Sequence, residues 1–131
     1  SYIFHPIVRV GTNLGYIEII MIISLLKLSP IPEKRQAILD VLRFVEEKVR
    51  LKRGCLGCGI YEECDKGRSI LYLEQWRSKE ENHLHIQSKL YLRLLNAMDL
   101  GRKSPEIVFL EVSDAKGIDL IEALRGEPDA N

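Results

Sequence analysis

Glu74-Gln75-Trp76-Arg77-Ser78 sets a carboxylate two residues before the only tryptophan of the chain, and His85 follows nine residues after that tryptophan. An indole offers a flat apolar wall. A carboxylate and an imidazole are the side chains that most readily orient or move a proton near neutral pH. A second grouping is Cys55-Leu56-Gly57-Cys58, with Cys64 as a third thiol. Its spacing suits redox or zinc chemistry. A reactive thiolate is usually favoured by a helix N-terminus, whereas this pair follows a helix stop at Gly54, where the macrodipole opposes negative charge. A structural zinc would need a fourth ligand that only a distant histidine supplies. The expectation is therefore no metal, with the cysteines as small side chains buried in a strand.

The elements that must carry these residues follow from periodicity. Met21 to Leu28 is short, apolar and ends at Ser29-Pro30-Ile31-Pro32, which reads as a buried strand running into a turn. From Glu33 to about Lys52, Ile38, Val41, Leu42, Val45 and Val49 recur at three- and four-residue spacing, the signature of an amphipathic helix. Its acidic start, basic end and Gly54 stop agree with that reading. Leu56 to Glu63 and Ile70 to Trp76 are β-compatible runs joined by a polar, glycine-containing loop, so a hairpin is expected.

A second helix is expected from about Lys79 to Leu100, closed by Gly101, followed by a strand at Glu106 to Val112. After a turn at Ser113 to Gly117, Ile118, Ile121 and Leu124 form one face of a short terminal helix, with Glu127 to Asn131 as a frayed tail. The order β-α-β-β-α-β is that of the ferredoxin-like α+β fold, an antiparallel sheet with both helices on one face. The uncovered face of such a sheet, in a chain with 46% hydrophobic residues, leads to the expectation of a homodimer. Three parts result: an extension over 1–20, a ferredoxin-like domain over 21–112, and a turn, helix and tail over 113–131. In the extension, Val8, Val10 and Ile17 to Ile20 form an added strand through a turn at Gly11 to Gly15, or else Met21 is an initiator and the segment before it is appended.

Global numbers bound the function. The chain has 131 residues, with 19 basic and 19 acidic side chains, so no net field favours nucleic acid or an anionic membrane. The longest apolar stretch, Ile17 to Leu28, is too short to span a bilayer and is interrupted by Glu18 and Lys27. Ser1 to Val10 has no signal-peptide pattern, and an odd cysteine count suits a reducing compartment, so the cytoplasm is the expected location.

Arg35-Gln36-Ala37-Ile38-Leu39-Asp40, Gly54-Cys55, Glu74-Gln75-Trp76 with Ser78, and His85 together resemble the antibiotic biosynthesis monooxygenase domain family, most nearly its small quinol monooxygenases. The resemblance covers about Met21 to Val112. It implies a dimeric α+β barrel with a pocket in each subunit for a small aromatic ligand, and oxidation of a hydroquinone or polyphenol by O2 without flavin or metal. An electron-rich phenolate can give an electron to O2 directly, so the protein must deprotonate, orient and exclude water. In that scheme His85 is the base, Glu74 orients it or a substrate hydroxyl, Trp76 stacks on the substrate, and Tyr72 extends the wall from the same strand face.

The histidine assignment depends on the second helix. If that helix is unbroken, His83, Ile86, Leu90, Leu94 and Ala97 form its apolar stripe, and His83 faces inward in place of His85. If the phase changes near Ser88, then Leu84, His85 and Ser88 face the pocket together. Lys89 stands where close relatives often carry a second histidine. Two other roles stay open on the same fold: a non-oxidative ligand-binding or regulatory dimer or isomerase of a carbonyl metabolite, and a haem-binding or haem-degrading protein. The haem relatives use an asparagine on the first strand, and Met21 to Leu28 has none.

Overall fold

The computed structural model describes residues 10–12, 15–17, 21–64, 67–101 and 104–126. Two short strands, β1 (Val10–Thr12) and β2 (Gly15–Ile17), pair antiparallel in a sheet of their own. The expected added strand is thus a small hairpin; Val8 and residues 18–20, expected to take part, lie outside the described residues. The domain proper runs β3 (Met21–Leu28), α1 (Arg35–Val49), β4 (Cys55–Glu62), β5 (Ile70–Trp76), α2 (Lys79–Ile86), α3 (Tyr91–Met98), β6 (Glu106–Val112) and α4 (Ile118–Arg125). A single 3-10 turn at Pro32–Lys34 leads into α1, since proline suits the first turn of a helix, where its missing N–H costs nothing.

The four long strands form one antiparallel sheet in the order β4-β5-β3-β6. The crossovers through α1 and through α2–α3 lie on the same face, which is the ferredoxin-like arrangement expected from the element order. Alternation along the strands decides what faces the helices. Ile22, Ser24, Leu26 and Leu28 of β3 stand opposite Trp76, Glu74, Tyr72 and Ile70 of β5, and all eight are buried. Against them α1 sets Ile38, Leu42, Val45 and Val49, each fully buried. A Leu, Ile or Val buried in this way stabilises a fold by roughly 1.5–3 kcal/mol, so this stripe fixes the rotation of α1 on the sheet.

Between Lys79 and Leu100 the chain forms two helices where an unbroken pattern predicts one. The Ser88 hydroxyl donates to the His85 carbonyl at 2.6 Å, and the Ser88 N–H reaches the same oxygen at 3.0 Å. The following N–H groups, Tyr91, Leu92 and Arg93, bond three residues back, to Ser88, Lys89 and Leu90. A hydroxyl that captures a backbone carbonyl competes with the helical ladder, and the tightened turn changes the phase. Leu94 and Ala97 keep their expected inward positions in α3, joined by Tyr91. Among the described residues, no helix is long and apolar enough to cross a membrane.

Candidate functional site

The pleat of β5 sends Tyr72, Glu74 and Trp76 to the helix side, and neighbours two apart on one face can bond one another. Glu74, 1% exposed, accepts from the Tyr72 hydroxyl at 2.7 Å, the Trp76 indole N–H at 2.9 Å and His85 Nε2 at 2.8 Å. A buried carboxylate is tolerated only when such bonds replace its hydration. The chain of donors extends one step further, since the Cys58 thiol donates to the Tyr72 oxygen at 3.2 Å. Burial pushes the Tyr72 hydroxyl and the Cys58 thiol well above their ordinary ranges, and the Glu74 charge adds to both shifts. Cys55 lies half-buried on the same strand, its thiol also raised by burial. Cys55 and Cys58 therefore sit in a strand as expected, in surroundings that disfavour thiolates, whereas Cys64 is exposed and lies beyond the strand end.

His85 arrives from α2, whose start is fixed by Ser78: its hydroxyl accepts from the Glu81 N–H and donates to the Glu81 carboxylate. The imidazole is 2% exposed, lies 4.8 Å from the Trp76 ring centroid, and meets the Tyr91 ring edge-on at 5.2 Å. Burial, with Glu74 as a second cause, pushes the Tyr91 hydroxyl up to about 12. On its other side, His85 Nδ1 is 3.0 Å from the Lys52 ammonium, which also donates to Ser88 Oγ at 3.0 Å. A carboxylate only accepts and an ammonium only donates, so the ring carries its proton on Nε2 and offers a lone pair on Nδ1. Burial lowers the pKa of Lys52, partly opposed by Glu74.

A cavity of about 220 Å³ opens on this network, lined by Lys52, Arg53, Trp76, Glu81, Leu84 and His85. Gly54 shapes its edge. Its φ of +87° suits glycine, and a Cβ there would collide with the Glu81 carboxylate. Its carbonyl also accepts the Arg77 N–H at 2.8 Å.

The expected residues thus divide. Trp76, His85 and Leu84 line the cavity, Leu84 at its rim with 67% exposure. Glu74 and Tyr72 stand behind them and do not line it, so the expectation that Tyr72 extends the wall is corrected: the packed Trp76 and His85 rings close the inner end. His83 is exposed and outside the cavity lining, because α2 ends before the longer stripe that would turn it inward can form. Lys52, Arg53 and Glu81 were not singled out from sequence. Lys52 and Arg53 read as the basic end of a helix, and Glu81 had only the Ser78-x-x-Glu81 capping signature. Among the described residues, no three His, Cys, Asp or Glu side chains are grouped to hold a metal ion.

Comparison with known proteins adds the family. Solved structures share the fold: Rv0793 from Mycobacterium tuberculosis matches with a TM-score of 0.67 and 22% identity over 74% of this chain and 99% of its own. A conserved protein from Methanosarcina mazei Go1 matches at 0.65 and 22%, over 70% of this chain and 92% of its own. A Deinococcus radiodurans protein, provisionally named an antibiotic biosynthesis monooxygenase, matches at 0.67 and 21%, over 74% and 97%. No functionally curated protein matches at a significant level. The sequence model of the antibiotic biosynthesis monooxygenase family matches residues 21–96, which hold three of the four strands of the main sheet, α1, α2, most of α3 and every side chain of the site, and the chain belongs to that family.

Proposed function

We propose that this protein is a monooxygenase that oxidises a hydroquinone or related phenol with O2, without flavin or metal, and that it works as a homodimer. The observation that carries the reading is the cavity in which Trp76 and His85 meet, backed by the buried Glu74. Its volume, about 220 Å³, exceeds the roughly 150 Å³ that holds a benzene ring in an engineered apolar cavity. One substituted ring therefore fits. Trp76 supplies the flat wall, and Glu74 with His85 supplies a fixed polar environment against which a hydroxyl ionises. An ionised hydroquinone is the electron donor that O2 requires, and the packed Trp76 and His85 rings keep water from the inner end of the site.

The test is oxygen consumption with a panel of single-ring hydroquinones. Uptake is expected with the unmodified protein, strongly reduced in Trp76→Ala and His85→Ala and retained in His83→Ala. No uptake with any phenol would reject oxidation and leave a non-oxidative ligand-binding role. A haemin Soret band that disappears in Trp76→Ala would instead assign the cavity to haem.

A further inference from the structure

His85 has no free ring nitrogen. Nε2 is held by Glu74 at 2.8 Å and Nδ1 by Lys52 at 3.0 Å, so the imidazole shows the cavity its ring and not a lone pair. Lys52 is differently placed. An ammonium has three protons, and the contacts to His85 and Ser88 use two of them while the side chain lines the cavity.

We propose that Lys52, rather than a ring nitrogen of His85, meets the ligand hydroxyl in this cavity, and that the site takes a single-ring phenol as its anion. This rests on the reading of the cavity as a phenol site. The other charged lining groups face one another: Glu81 is held by Arg77 at 2.6 Å and by Ser78 at 2.8 Å, with Arg53 4.0 Å away. Among the described residues, Lys52 has no such direct counter-ion. Its two bonded partners are an imidazole lone pair and a hydroxyl, and Glu74 lies beyond the imidazole. Burial already disfavours its charge, so a phenolate against Nζ supplies the missing partner.

On binding, the phenol O–H breaks, its proton leaves to water at the cavity mouth, and the oxygen anion pairs with Nζ. No other bond changes and no electron moves. His85 is then a positioning residue: pinned by Glu74, it holds the ammonium at the cavity wall. A positive charge within about 4–6 Å lowers the pKa of an acid by roughly 1–3 units.

The ligand 4-nitrophenol tests this, because its absorbance reports its ionisation without any turnover. Bound to the full chain, its ionisation midpoint is expected at least about 1 unit below that of the free compound. In Lys52→Met the midpoint should return close to the free value, with affinity for the anion falling about tenfold, the equivalent of one such unit. Lys52→Arg keeps the cation and should keep most of the shift, while Lys89→Met, outside the cavity, should change nothing. Trp76 emission and thermal melting verify folding, and Lys52→Gln replaces Lys52→Met if the latter does not fold. An equally lowered midpoint in the neutral variants would overturn the assignment of Lys52 and leave the phenol reading intact. Failure of the unmodified protein to bind any 4-nitrophenol would overturn both.

Discussion

The helix-facing side of β5 and the C-terminal arm of β6 and α4 are built to opposite standards. Around Glu74, three donors meet one carboxylate and every participating residue of the strand is buried. In β6, Ile107, Val108, Phe109 and Leu110 are each 40–44% exposed. Successive strand residues point to opposite faces, so both faces of β6 are partly open. Ile118, Leu120, Ile121 and Leu124 of α4 are exposed too, and α4 buries no residue. Among the described residues, one chain therefore completes the polar network by itself and leaves much of its arm uncovered. Contiguous exposed apolar surface of this kind marks an interface, and a second copy of the chain is the partner that the proposed homodimer supplies. Polar chemistry within one subunit and assembly through the arm should thus respond to different substitutions.

The strongest way to break that separation is Glu74→Ala. It strands three buried donors and removes the carboxylate that faces Lys52 across the imidazole. Breaking a buried, bonded charge costs about 3–5 kcal/mol, to be read as a lowered urea midpoint. A loss below about 1 kcal/mol, the scale of one ordinary hydrogen bond, would mean the network is not closed. Glu74→Gln keeps the shape and two possible acceptor directions and should lose less.

Phe109→Asp probes the other region. Burying a phenylalanine is worth about 1.5–3 kcal/mol, and every 1.4 kcal/mol is tenfold in affinity. With a charge placed in the interface as well, the homodimer should weaken about 100-fold or more, seen by sedimentation, while 4-nitrophenol binding per chain persists. A protein that sediments as a monomer before substitution would remove the dimer from the comparison.

These two regions were not equally legible in the sequence. The stripe of α1, the hairpin and the strand Glu106–Val112 follow from local periodicity, and the structure places them within a residue or two. Glu74 and Trp76 share a face for the same reason, since strand alternation has a fixed period. The break at Ser88 does not follow from periodicity, because a hydroxyl that bonds His85 O in place of continuing the ladder depends on the tertiary setting. Lys52 was hidden for a related reason. Its neighbours in the site, His85 and Ser88, are 33 and 36 residues away in sequence, and only folding makes a helix-end lysine part of a cavity. The exposure of both faces of β6 was likewise out of reach, since the uncovered sheet face alone was foreseen.

Alkaline titration sharpens the contrast from the buried side. Tyr91 is raised from 10.0 to about 12, with Cys58 raised from 9.0 and Tyr72 from 10.0. Between the ordinary and the raised values the unfolded chain loses these protons while the folded chain keeps them. Unfolding then releases protons, and stability falls as pH rises. Lys52, lowered from 10.5, has the opposite sign, because the folded state sheds its proton first and gains relative stability as pH rises towards that value. With the Cys55 thiol also raised, four raised acids against the one lowered lysine predict a urea midpoint that declines above about pH 9–10. Tyr91→Phe should flatten part of the decline.

The smallest effect belongs to His83→Ala, and it tests where the register of the site is set. His83 and His85 share the last turn of α2, yet one ring is exposed and the other is locked between Glu74 and Lys52. A surface substitution without partners changes stability by less than about 0.5 kcal/mol, so His83→Ala should melt with the parent protein and keep its oxygen uptake. His85→Ala removes a ring that packs on both Trp76 and Tyr91 and bonds two charged groups. Should a folded His83→Ala lose uptake as fully as His85→Ala, the helix would present both rings to the ligand. A phase change at Ser88 would then no longer explain why the second of the two histidines is the buried one.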